Sequence, residues 1–184
     1  MTVRRDRVPD SEAGFSLLET LVAMSILATG LMGMAGVFTL GMAHLAASSA
    51  GLIAREKARE AVESVHTARD MRVVTWSQVR NVSQGGVFLA GAQSLRTAGP
   101  DGLVNTADDG ALEMSLSTGP DNVLGTADDL QTPLNAYTRQ IEISDIVTNG
   151  VPSLSLRQLR VTIRYNVGQM TRSYVLTTFI SSIS

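Results

Sequence analysis

The sequence lacks cysteine altogether and is poor in lysine and in aromatic side chains. Lys57 is its only lysine, and four Phe, three Tyr and one Trp are spread over 184 residues. The missing cysteine excludes disulfides, thiolate metal sites and cysteine nucleophiles. A net charge of −2, without a basic patch that aromatic residues interrupt, predicts no nucleic-acid partner. His44 and His66 have no serine nucleophile or metal-ligand cluster near them in the sequence, so we predict that the chain is not an enzyme.

Charged residues are also missing from one long stretch. Residues 20–54 contain no Asp, Glu, Lys or Arg over 35 positions. A helix of about 20 apolar residues crosses the hydrocarbon core of a membrane, so this run is long enough to cross it and continue beyond. Charged residues then alternate with Ala and Val at helical spacing. We therefore predict a single helix from about Phe15 to about Met71.

Two export signals could compete with this interpretation of the N-terminus. Arg4, Arg5 and Arg7 would supply the basic start of a secretory signal peptide. The apolar run is much longer than the 7–15 residues usual in such peptides, and Glu19 lies near its start. The twin arginine lacks the hydrophobic residues expected directly after an export signal of that kind. Neither interpretation explains the position of Glu19.

The junction between the polar start and the apolar run carries a specific motif. Residues 14–19 read GFSLLE, which strongly resembles the class III signal of type IV pilins and pseudopilins. The resemblance implies cleavage by a prepilin peptidase between Gly14 and Phe15, and N-methylation of the new N-terminal Phe15. It also implies that Glu19 meets the methylated amine of a neighbouring subunit during filament assembly. A carboxylate costs roughly 2.5–3.5 kcal/mol in a membrane and is by default a functional residue. The alternative is that Glu19 only reaches the lipid headgroups from near the helix end.

The apolar run itself bears on the subclass. Residues 25–36, SILATGLMGMAG, resemble the helix of PilV-type minor pilins, and small residues at such spacing let helices approach closely. This resemblance implies a minor pilin that serves pilus assembly, adhesion, motility or DNA uptake. Minor pseudopilins of type II secretion systems share the motif and much of the helix, so a role in protein secretion stays open. A membrane-anchored protein without a filament role is a third alternative.

The resemblance also implies partners and a location. Other pilin subunits would pack against the N-terminal helix, and the prepilin peptidase and the pilus assembly platform would act on the chain. The protein would cross the inner membrane once, with its soluble domain outside the cytoplasm, and would then join a pilus (fimbrium) at the cell surface.

The C-terminal half has the sequence pattern of β-strands. Alternating apolar residues at 137–147, 159–167 and 174–181, separated by turns, predict three antiparallel strands. A shorter strand is expected near residues 112–116, and Trp76 is expected to anchor a connecting loop to the core. Strands laid on the amphipathic half of the helix predict an α+β domain, which matches the pilin fold. We divide the chain into a leader (1–14), a transmembrane half-helix (15–45), an amphipathic half-helix (46–72) and a soluble β domain (73–184).

An eleven-residue motif occurs twice in the β domain. Loop 1 (residues 99–109) reads GPDGLVNTADD, and loop 2 (residues 119–129) reads GPDNVLGTADD. Seven acids and no base lie between Arg96 and Arg139. Acidic and amide side chains on tight turns provide the oxygen ligands that calcium needs, although the spacing is not that of an EF-hand. We predict calcium-binding sites or, alternatively, two solvated acidic turns; the candidate ligands are Asp101, Asn105, Asp108, Asp109, Asp121, Asn122, Asp128 and Asp129.

Overall fold

A computed structural model describes residues 16–182 of the chain. Helix α1 spans Leu17–Asp70, and a short 3-10 helix follows at Val82–Gln84. The strands are β1 (Gln93–Ser94), β2 (Met114–Ser117), β3 (Leu130–Pro133), β4 (Tyr137–Thr148), β5 (Val151–Val167) and β6 (Met170–Ser181). The chain divides into two compact units, one ending at Leu45 and the other running from Ala46 onward.

The first unit contains the N-terminal part of α1. From Leu17 to Leu45 this part carries one charged residue, Glu19, and its large apolar side chains are exposed. At 1.5 Å per residue, 29 helical residues extend over about 44 Å, which exceeds the roughly 30 Å of a membrane's hydrocarbon core. The helix is therefore long and apolar enough to cross a membrane.

The second unit is an antiparallel sheet covered by the rest of α1. The main sheet has the strand order β1-β4-β5-β6, and β2 and β3 form a separate two-stranded sheet. Inward-facing Ile141, Leu159, Val161 and Ile163 alternate with outward-facing polar residues along β4 and β5. The helix contributes buried residues at intervals of three and four, which is one face of an α-helix: Ala54, Ala58, Ala61, Val65 and Ala68. Small alanines let the helix approach the sheet closely, and the two layers share one core.

The observed architecture confirms the predicted α+β fold and is consistent with a pilin fold. The three predicted strands are present, and β5 begins at Val151 rather than at Leu159. This extension pairs with β4 in a hairpin whose turn residues, Asn149 and Gly150, have φ angles of 52° and 79°. Positive φ at both turn residues is what a tight Asn-Gly hairpin requires. The short strand expected near residues 112–116 is β2, whereas β3 was not predicted, because apolar and polar residues do not alternate along Leu130–Pro133.

The side chain of Asn81 makes hydrogen bonds to the edge of β4 beyond the end of β1. The amide of Asn81 donates from Nδ2 to the carbonyl of Ile141 at 2.8 Å, and its Oδ1 accepts from the amide of Ile143 at 2.9 Å. These two bonds reproduce those that a neighbouring strand would make to β4. Asn81 therefore continues the pairing of the β4 edge for one step beyond the two-residue strand β1.

Candidate functional site

The predicted cleavage site, Gly14 and Phe15, lies outside the described residues. The described chain begins with Ser16, whose Oγ accepts a hydrogen bond from the amide of Glu19 at 3.2 Å. Ser16 and Glu19 thus occupy the first and last positions of the S-x-x-E helix-start pattern, and this bond satisfies one of the amides left free at a helix start. Glu19 lies in the first turn of α1, where a carboxylate interacts favourably with the helix dipole.

The glycines in the N-terminal part of α1 have no neighbouring atoms from other parts of the described chain. A Cβ atom added at Gly30, Gly33, Gly36 or Gly41 would meet nothing within 4 Å. The neighbouring large side chains are uncovered as well, including Leu31, Met34 and Phe38, which are 59–72% exposed. An apolar surface of this extent is a liability in water, and its exposure is consistent with a segment that is anchored in a membrane.

Loop 1 and loop 2 have the same backbone conformation. Gly102 and Asn122 occupy equivalent positions with φ of 72° and 56°, and Asn105 and Gly125 do so with φ of 68° and 92°. Only Gly and, less readily, Asn adopt this left-handed conformation without a large cost. The two loops exchange Gly for Asn at both positions, and the turn geometry is kept.

The carboxylates of each loop accept hydrogen bonds from the loop's own backbone and threonine. In loop 1, Asp109 accepts from the amides of Asn105 and Thr106 at 2.9 and 3.1 Å, and Asp101 accepts from the amide of Leu103 at 2.8 Å. The hydroxyl of Thr106 donates to Asp108 at 2.7 Å. Each acid therefore holds a turn of the loop in place, which is the ordinary use of Asp in tight turns.

Loop 2 repeats three of these four bonds at the equivalent residues. The amide of Val123 donates to Asp121 at 2.8 Å, the amide of Gly125 donates to Asp129 at 2.6 Å, and the Thr126 hydroxyl donates to Asp128 at 2.6 Å. The Thr126 hydrogen bond, followed by one from the amide of Asp121, lowers the pKa of Asp128 below its ordinary value of 3.8. Asn122 supplies the left-handed residue of this loop.

The geometry of the two loops gives one observation against the calcium prediction and one in its favour. Within residues 16–182, no three or more His, Asp or Glu side chains are grouped closely enough to hold a metal ion. One feature favours a cation at loop 1: Asn105 is fully buried, and neither Oδ1 nor Nδ2 of its amide has a hydrogen-bond partner.

A buried ionic cluster holds the segment after loop 1, and the sequence did not reveal it. Glu113 is 3% exposed and lies 2.6 Å from Nζ of Lys57 on α1 and 3.2 Å from Nη1 of Arg139 on β4. Arg139 is fully buried and also donates to the carbonyl of Arg96 at 3.0 Å. Burial lowers the pKa of Lys57, but hydrogen bonds to Glu113 and Glu60 outweigh it, so the pKa rises above its ordinary 10.5. The only signal in the sequence was that Lys57 is the sole lysine.

A second cluster secures the connecting loop after α1. The guanidinium of Arg157 lies over the Trp76 ring at 4.1 Å and donates to the backbone carbonyl of Val79 at 2.9 Å. Asp145 accepts from Arg157 at 3.2 Å and from Arg80 at 2.7 Å. Burial, followed by repulsion from Arg80, lowers the pKa of Arg157. Trp76 packs against the core from this loop, in agreement with its predicted role as an anchor.

Comparison with known proteins gives one match, at the N-terminus. Residues 10–35 match the family model of the prokaryotic N-terminal methylation motif. No curated protein and no solved structure matches the chain significantly. The motif indicates a substrate of a prepilin peptidase, of the type IV pilin-like or pseudopilin kind, and a structural subunit rather than an enzyme. Its residues include Gly14, Phe15 and Glu19.

Proposed function

We propose that this chain is a minor type IV pilin of the PilV type, cut between Gly14 and Phe15, methylated at Phe15, and assembled into a pilus through its N-terminal helix. The observation that carries the proposal is the methylation motif at residues 10–35, most of which lies within the uncovered apolar helix that begins at Leu17. In the membrane, lipid covers that helix. In a filament, the helices of neighbouring subunits replace the lipid, and small residues such as Gly33 and Gly36 allow close approach.

Glu19 has a defined task in this proposal. It attracts the methylated amine of a neighbouring subunit, because an opposite charge repays part of the cost of a carboxylate among apolar helices. Its place in the first turn of α1 supports this role, since the carboxylate lies close to the end of the helix from which an incoming amine would approach.

The first experiment tests processing. The full chain carrying a C-terminal tag is produced with a prepilin peptidase, and the mature N-terminus is identified by mass spectrometry. We expect N-methylated Phe15 as the first residue, and we expect an uncut precursor in the membrane when Gly14 is replaced by a bulky residue. An intact Met1 in assembled filaments would overturn the proposal.

The second experiment tests assembly. The Glu19→Ala variant should insert into the membrane normally but should be strongly depleted in pili sheared from the cell surface. The matched control is Glu56→Ala, which removes an exposed carboxylate from the later part of α1. Equal amounts of both variants in sheared pili would show that Glu19 makes no pairing that assembly needs. Processed chain that stays in the cell envelope, with a loss of protein export on deletion, would assign the chain instead to a type II secretion pseudopilus.

We also propose that the two loops bind calcium, with loop 1 as the tighter site. The unbonded amide oxygen of buried Asn105 supports this order, because loop 2 has Gly125 at the equivalent position and so lacks that ligand. A bound cation would also offset the mutual repulsion of the three aspartates within each loop.

A further inference from the structure

Loop 2 lies on a projecting hairpin that exposes apolar residues. We call residues 114–133 the acidic arm; it consists of β2, loop 2 and β3. In loop 1, Leu103 and Val104 are 0% and 1% exposed and belong to the core, whereas their equivalents in loop 2, Val123 and Leu124, are 54% and 62% exposed. The repeated motif is therefore packed against the core in its first copy and exposed to solvent in its second copy. Loop 1 shows that this apolar pair is suited to burial.

The acidic arm also carries charge of a single sign. Asp121 and Asp128 are exposed on it, Asp129 is half-buried beside them, and no basic residue lies anywhere in the arm. No ion pair links the arm's acids to another part of the chain within residues 16–182. A two-stranded hairpin has little stability of its own, so an arm of this kind gains from a partner that covers its apolar side.

A matching surface lies on the outward face of the main sheet. We call it the arginine face and define it by Arg160, Arg164, Val175 and Phe179. Val175 and Phe179 are 50% and 58% exposed on β6, and Thr177 between them pairs with Arg160 on β5. Arg160 therefore lies beside two uncovered apolar side chains, with the exposed Glu142 of β4 directly across from it on the same face. In the part of the chain that the structure describes, neither Arg160 nor Arg164 forms an ion pair.

We propose that the acidic arm of one copy of this chain docks on the arginine face of a second copy. Each surface joins an exposed apolar pair to unpaired charges, and the two sets of charges are opposite in sign. Charge complementarity of this kind orients two surfaces, while the apolar contacts add the burial that loop 1 already achieves within the chain. The inference goes beyond the proposed function, because it requires neither cleavage at Gly14 nor a pilus.

The contact is heterologous, since different surfaces of the two copies meet. Such a contact leaves one arm and one arginine face free at the two ends of a pair, so it can extend into a row of subunits. A two-fold contact, in which arm meets arm, would instead bring Asp121 and Asp128 of both copies together, and like charges oppose it.

The experiment is cysteine cross-linking of the full chain in membranes, which is clean because the natural chain has no cysteine. One tagged copy carries Ala127→Cys on the acidic arm, and a differently tagged copy carries Thr177→Cys on the arginine face. The matched control places Ala107→Cys at the equivalent position of loop 1, which is equally exposed. We expect a mixed-tag product from Ala127→Cys and little from Ala107→Cys.

Substitutions of the charged residues on the two surfaces distinguish specific docking from chance collision. Adding Arg160→Asp and Arg164→Asp to the copy with the arginine face should reduce the mixed product roughly fivefold or more, and high salt should reduce it as well. Asp121→Asn and Asp128→Asn in the other copy keep an oxygen acceptor for the Val123 amide and the Thr126 hydroxyl but remove the charge, so they should also reduce the mixed product. Three results would overturn the proposal: equal products from Ala107→Cys and Ala127→Cys, same-tag dimers of the arm variant as the main product, or a mixed product whose amount does not change with these charge substitutions.

Discussion

Loop 1 and loop 2 share seven of eleven residues and four equivalent internal hydrogen bonds, yet the apolar pair of one lies in the core and that of the other lies in solvent. Their backbones agree because the bonds that shape them connect residues two to four positions apart. Their burial differs because loop 1 has partners elsewhere in the chain, such as the amide of Leu89, which donates to the carbonyl of Asn105 at 2.7 Å. Local conformation and tertiary placement are thus separable properties of the same motif.

The largest expected difference between the loops concerns the apolar pair. Leu103→Ala removes a fully buried side chain and should lower the free energy of unfolding by about 2–5 kcal/mol. The matched Val123→Ala change should shift it by less than about 0.5 kcal/mol, because that side chain is exposed. Denaturant unfolding of the full chain in detergent measures both. Similar losses would mean that loop 2 is packed in solution as well.

Calcium should sharpen the same comparison. A ligand that binds only the folded state stabilises it by about 2.7 kcal/mol at a hundredfold excess over Kd. We expect the chain to melt at a higher temperature in calcium than in chelator, and Asp108→Asn in loop 1 to remove more of that difference than Asp128→Asn in loop 2. Equal melting temperatures with calcium and with chelator, and no effect of magnesium, would leave both loops as solvated acidic turns.

The acid that ends each loop should matter less than the apolar pair. Asp109→Ala leaves the amides of Asn105 and Thr106 without an acceptor, and both residues are buried, so a loss of about 1–3 kcal/mol is expected. The equivalent change, Asp129→Ala, frees the amide of exposed Gly125, which water can satisfy, and should cost less than about 0.5 kcal/mol. Thermal unfolding compares the two. A larger loss from Asp129→Ala would contradict the assigned burial of the loops.

The smallest expected effect is a change in the titration of Asp128. Thr126→Val removes the hydrogen bond that does most to lower its pKa, so the pKa should rise toward 3.8, whereas Thr118→Val in the same arm should leave it unchanged. With the lowered pKa, the contribution of Asp128 to stability is present above pH 3.8 and is lost as the pH falls through its folded-state value. A carboxyl NMR titration follows both variants. An unchanged pKa of Asp128 in the Thr126→Val variant would show that this hydrogen bond does not lower the pKa.

Much of the fold could be predicted because its signals are periodic or local. Alternation in residues 159–167 predicted the second half of β5, and the charge-free run predicted the N-terminal part of α1. The exposed first half of β5 was missed, since Leu154, 91% exposed, breaks the alternation that marks a half-buried strand. Gly14 and Phe15 were predicted from their motif, and no contact in residues 16–182 bears on them.

The sequence by itself determined the features that depend on near neighbours: the long apolar helix with its processing motif, the antiparallel strands, and the repeated turn with its Gly and Asn at left-handed positions. The tertiary structure alone decided which copy of the repeat is buried, that Glu113 joins Lys57 to Arg139, and that Asn81 closes the edge of β4. Each of these contacts joins residues 26 to 62 positions apart, or places a loop against distant strands. No periodic pattern encodes such pairings, because they arise only when the folded chain brings separate segments together.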